Sequence, residues 1–174
     1  MDREKVAQIA REQKDIAQGR HLRDAPDTEE ARRQETHALE RLWEQVVRES
    51  TEYCACYNDA YGIQRIRTEA HADTVVIRSL LDQEDTLVFR RTLPSSVQAG
   101  HVEVHRYQYP TRPVDLPVAL KHTPEGLALT YRGQDIAPAD LVLELLSRFT
   151  EQLARAEQRS TRQAPRGTGD QESL

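Results

Sequence analysis

EYCACYNDAYG, Glu52 to Gly62, holds both cysteines of the chain, two residues apart among three tyrosines. Such a pair can mark a metal or redox site, or it can be the end of a helix. Helical residues turn by about 100° each, so Cys54 and Cys56 would project about 200° apart. On a helix they can neither share one ion nor join without strain. Cys54 falls on one side with Tyr53 and Tyr57, which predicts a core thiol. Cys56 points away. The stretch therefore reads as helix rather than as a site, and the rest of the fold follows from that reading.

Upstream, the same apolar side continues through Leu39, Leu42, Trp43, Val46, Val47 and Ser50. This spacing predicts one helix over 28–60. Asp27 or Thr28 is placed to cap it, Glu29 and Glu30 suit the positive end of its dipole, and Gly62 is placed to end it with a left-handed residue. At 1.5 Å per residue the helix would span about 48 Å.

Downstream the period changes from helical to two. Alternating runs predict about six strands: 63–69, 73–81, 85–93, 101–108, 115–122 and 126–132. Short polar connections such as DQED and TPEG imply antiparallel neighbours. Pro117 within the fifth run predicts an edge or a bulge, because proline has no N–H to give a ladder. A second helix is expected over 138–157, with Pro138 at its first position and Asp140 in its first turn. Its apolar stripe is Leu141, Val142, Leu145, Leu146, Phe149 and Leu153.

The expected fold class is α+β. A long N-terminal helix precedes an antiparallel sheet of about six strands, and the C-terminal helix packs on the same sheet face. The opposite face should be wet and rich in Arg, His and Thr. Residues 27–157 would form a single domain. Residues 1–26 read as a charged, weakly helical arm, with Val6, Ile9, Ala10, Ile16 and Ala17 as a thin stripe. Residues 158–174 read as a disordered polar tail.

Composition limits function. The chain has 174 residues, 37% of them hydrophobic, with a net charge of −5. Globular domains sit nearer about 45–50% apolar, so the flanks are expected to lie outside the core. The mild acidity argues against broad attraction to polyanions. No apolar run approaches the length of a membrane span, and the start lacks the apolar centre of a signal peptide, so a cytoplasmic protein with no membrane contact is expected.

The sharpest chemical pattern is HVEVH. On a strand, His101, Glu103 and His105 share one face at intervals of about 6.8 Å, and imidazole with carboxylate suits zinc or iron. Alternation opposite Val102 and Val104 produces the same pattern on a solvated face, so no metal is assigned. Neither does any other pattern imply a cofactor or a catalytic motif. A second cluster is Arg65, Arg67, Arg78, Arg90, Arg91, Arg106 and Arg132, which on one sheet face could contact phosphates. Alternation sends Arg90 and Arg91 to opposite sides, however, and stacking aromatics are sparse.

The expected function is that of a non-enzymatic binding or adaptor protein. A 48 Å helix against a sheet about 28 Å wide should overhang it, leaving the stripe around Trp43 for a protein partner or a second copy. The alternative is a small-molecule binder or enzyme with a cavity between a curved sheet and a helix, in which Tyr53, Tyr57 and Tyr131 supply polar handles. Nucleic-acid binding through the arginines ranks third.

Overall fold

The computed structural model describes residues 28–81, 85–95, 98–107 and 113–163, so the expected arm and most of the expected tail lie outside the described residues. Helix α1 covers Glu29–Tyr61, eight strands follow, and helix α2 covers Pro138–Gln163. Thr28 is the N-cap, its hydroxyl accepting from the Ala31 N–H at 3.1 Å. Gly62 closes the helix at φ 68°, donating its N–H to the Asp59 carbonyl. Cys54 is buried and Cys56 exposed, as the helical reading requires.

The strands are β1 (Ile66–Ala70), β2 (Thr74–Ser79), β3 (Thr86–Thr92), β4 (His101–Tyr107), β5 (Val114–Leu116), β6 (Val118–Thr123), β7 (Gly126–Tyr131) and β8 (Gln134–Ile136). Within each sheet, sequence neighbours pair antiparallel, in a five-stranded sheet β1-β2-β3-β4-β5 and a three-stranded sheet β6-β7-β8. The expected single sheet of six strands is thus two sheets of eight, for two local reasons. Pro117, with no N–H to give a ladder, divides the expected fifth run into β5 and β6, and its carbonyl accepts from the Arg132 N–H just beyond the β6–β7 pairing. Arg132 and Gly133 both take positive φ, 53° and 79°, which makes a two-residue hairpin turn into a short β8.

The core lies between the helices and one face of the larger sheet. Leu39, Trp43, Val46 and Cys54 from α1 meet Val75, Ile77, Leu87, Phe89, Val102 and Val104 from the strands. The stripe Leu141, Val142, Leu145, Leu146, Phe149 and Leu153 closes it from α2. Helix α2 runs six residues past the expected end at 157, beyond the last core residue of its stripe. The i,i+4 pairs Glu144–Arg148 and Glu151–Arg155 support its outer side.

The overhang of α1 does not exist. The expectation set helix length against sheet width, but α1 runs along a strand instead of across the strands. The Asn58 side chain donates to the Ile66 carbonyl at 2.9 Å and accepts from the Arg65 and Ile66 N–H groups. Fifteen residues earlier on the helix, the Trp43 indole N–H donates to the Ala72 carbonyl at 3.0 Å. The helical rise between those residues is about 22 Å, and the strand rise from Ile66 to Ala72 is about 20 Å. Helix and strand therefore run side by side, with α1 fastened to β1 at each end of the strand. At the start of β1, Asn58 of α1 takes up the N–H and carbonyl of Ile66, groups that an edge strand otherwise leaves unpaired. Further toward its N-terminus, α1 meets the connection between β3 and β4, where the buried Glu35 accepts from the Gly100 N–H at 3.1 Å.

Candidate functional site

Two surfaces gather chemically capable side chains: the open face of the larger sheet, and the flank of α1 beside the β1–β2 turn.

The open face is built by alternation. With Val102 and Val104 turned to the core, His101, Glu103 and His105 face outward, as the spacing implied. Glu103 lies 3.3 Å from His101 through one oxygen and 3.3 Å from His105 through the other. His105 Nδ1 is 2.7 Å from Asp115 Oδ1 on β5, its register partner. Each imidazole thus has a carboxylate neighbour that satisfies it without an ion. Among the described residues, no group of three or more His, Cys, Asp or Glu side chains is arranged to hold a metal. His122, the next histidine along the chain, is exposed on β6 opposite Leu127.

The arginines do not gather. By register, Arg67, Arg78 and Arg90 belong to the open face, but so do Glu69, Glu103 and Asp115, which balances the formal charge. Arg67 and Arg78 both lean on Glu69, at 3.7 and 3.8 Å. Arg91 and Arg106 share parity with Phe89 and Val104 and point to the helix side. There Arg91 reaches Asp73 and Arg106 reaches the buried Asp85. Arg65 is itself buried and paired with Glu157 of α2. Arg132 sits in the β7–β8 turn with its guanidinium over the Tyr131 ring.

The aromatic candidates are mostly packing. Tyr53 and Tyr57 stack on α1 with centroids 6.2 Å apart, and the Tyr53 hydroxyl is hydrogen-bonded to Thr150 of α2 at 3.0 Å. Tyr57 continues to Tyr61, and the Tyr61 ring carries the Arg65 guanidinium at 4.2 Å. Burial first, and the neighbouring Tyr61 hydroxyl second, push the Tyr57 phenol up to about 12. No hydrogen bond of good geometry satisfies the Tyr57 hydroxyl. Tyr131 is buried in β7. Burial likewise pushes the Cys54 thiol up, with a hydrogen bond from Thr68 opposing it, which keeps Cys54 in the neutral form.

Trp43 is different, because it is buried and still borders a surface groove. An open groove of about 410 Å³ is lined by Glu40, Trp43, Glu44, Val47, Arg48, His71, Ala72 and Arg91. The helix builds one wall because residues 40, 43, 44, 47 and 48 are neighbours at i, i+3 and i+4. The turn after β1 and the end of β3 build the other wall. Arg91 makes that wall rigid, with Nε donating to Asp73 at 2.9 Å, a terminal nitrogen donating to the Ala72 carbonyl at 3.2 Å, and its plane 5.8 Å from the Trp43 ring. No family model, curated protein or solved structure matches this chain. What the groove does must therefore be argued from the groove alone.

Sequence reasoning picked out Trp43 but gave it the wrong surroundings. It missed Asn58, Arg65, Arg91 and Glu157 as structural partners. Nothing local to those residues signals their roles, since Arg65 and Glu157 stand 92 positions apart.

Proposed function

We propose that the chain is a non-enzymatic binding protein that engages a segment of another protein in the groove beside Trp43. The observation that carries this reading is the groove's make-up: an apolar floor of Trp43, Val47 and Ala72 between polar walls on two rigid elements. Apolar centre and polar rim is the usual anatomy of a protein contact, and an open trough suits a chain segment better than an enclosed small molecule. The reading keeps α1 as the binding element but moves the contact from a bare apolar stripe to the helix flank. The small-molecule alternative loses its handles, since the Tyr53 hydroxyl is spent on Thr150 and Tyr57 is stacked between two other tyrosines. Nucleic-acid binding is weakened by the balanced charge of the open sheet face.

The test is a displayed-peptide selection on the full-length chain and on two variants that fill the groove from opposite walls, Val47→Arg and His71→Trp. Sequences enriched by the wild type should be lost on both variants, with circular dichroism unchanged. Equal enrichment on all three proteins would remove the groove from consideration.

A further inference from the structure

We propose that the segment taken by the groove carries a lysine or arginine, whose charged end meets Glu40 and Glu44 while its stem lies along Val47 and the exposed edge of Trp43. This rests on the groove reading above and adds the chemistry of the partner. Three elements bring charged groups to the groove. From β3 comes Arg91, already engaged by the Asp73 carboxylate at 2.9 Å. From the turn comes His71, exposed, its backbone N–H bonded to Thr74. From α1 come Arg48, turned to Glu49 at 2.9 Å, and the two carboxylates. Glu40 has only the exposed His37, at 3.3 Å, and Glu44 has no ion pair among the described residues. The two arginines are thus spoken for by Asp73 and Glu49, the His71 imidazole has no ion pair among the described residues, and the carboxylates left over are Glu40 and Glu44.

The two carboxylates stand at i and i+4, so their Cβ atoms are about 6 Å apart on one helix side. That spacing lets a single guanidinium or ammonium reach both. A lysine or arginine is also the residue whose long apolar stem can lie on a hydrophobic floor while its end stays at the rim. An acidic segment would instead meet two like charges, one of them with no ion pair among the described residues. A second copy of this chain and a neutral apolar segment are the other occupants, and the experiment separates them.

Trp43 is the single tryptophan of the chain, so its emission reports on the groove directly. Full-length protein is titrated with three capped hexapeptides of leucine and serine that differ only at the third position: lysine, norleucine or glutamate. The lysine peptide should shift Trp43 emission and bind about five-fold more tightly than the norleucine peptide, with the glutamate peptide weakest, and 0.5 M KCl should shrink the difference. Glu40→Gln and Glu44→Gln should each reduce the preference of lysine over norleucine, and together abolish it. Equal binding of lysine and norleucine peptides, or a preference that survives the double substitution, would overturn the assignment of a basic partner. The groove would still stand in that case, provided Val47→Arg blocks both peptides. Emission insensitive to all three peptides would remove groove and partner together. Emission that changes with protein concentration alone would identify a second copy as the occupant and overturn the proposal.

Discussion

Gly100 shows how tightly single residues are constrained. A Cβ built there would stand 2.8 Å from Leu39 Cδ2, 3.1 Å from Pro94 Cδ and 3.3 Å from the Thr92 carbonyl. Leu39 is fully buried and has little room to retreat. Gly100→Ala should cost about 1–2 kcal/mol by overpacking, and Leu39→Val in the same chain should return part of it. A denaturant-unfolding cycle over the four proteins measures that coupling. Tyr57 is the opposite case, a buried hydroxyl with no partner. Tyr57→Phe removes an unsatisfied group while keeping the stacked ring, so the melting temperature at pH 7 should hold or rise. Its pH dependence has a fixed sign. The folded phenol titrates near 12 and the unfolded one near 10, so the neutral form is favoured by folding. That contribution is complete below about pH 10 and is lost as pH rises toward 12. Wild type should lose more stability than Tyr57→Phe across that window in parallel urea titrations.

At the scale of elements, the decisive contact is the one between α1 and the edge of β1. Asn58 satisfies three backbone groups with one amide. Asn58→Ala leaves them without partners and should cost about 2–3 kcal/mol, with hydrogen exchange speeding most at Ile66. Asn58→Asp keeps the acceptor and loses the donor, so its cost should fall between. Helix α1 itself could be read from its residues, because Leu39 to Tyr57 recur at helical spacing and Thr28 and Gly62 mark the ends. The direction in which α1 crosses the sheet could not. It depends on Asn58 and Trp43 finding particular carbonyls, and neither pairing leaves a periodic trace. The strands were legible where alternation is strict, as in β2, β3 and β4. They were misjudged at Pro117 and at Arg132–Gly133, where one backbone property overrides the pattern. For the groove, the type of residue at position 43 could be read, but the wall opposite it is made by Ala72 and Arg91, brought there only by folding.

At the scale of the whole molecule, a partly buried ion pair joins the start of β1 to α2. Arg65 is buried, held by Glu157 on α2, and capped by the Tyr61 ring. Glu157→Ala would leave a buried guanidinium short of its counter-charge. With Glu157 itself about half exposed, the cost should be about 1–2 kcal/mol, less than for a fully buried pair. Arg65 and Glu157 stand 92 positions apart, so their pairing should form after the local hairpins, and the substitution should mainly speed unfolding and leave the folding rate almost unchanged. Stopped-flow chevrons resolve the two arms. The strand order described above has a consequence for synthesis. Every strand pairs with the one made just before or just after it, so no part of either sheet waits for a distant partner. A chain emerging N-terminus first can lay down α1 and then add each hairpin in turn, the growing apolar face only partly covered by α1 until Pro138–Gln163 emerges. Until that helix emerges, the sheet's inner face lacks the cover of Leu141, Leu145 and Phe149, and any need for a chaperone falls in that interval.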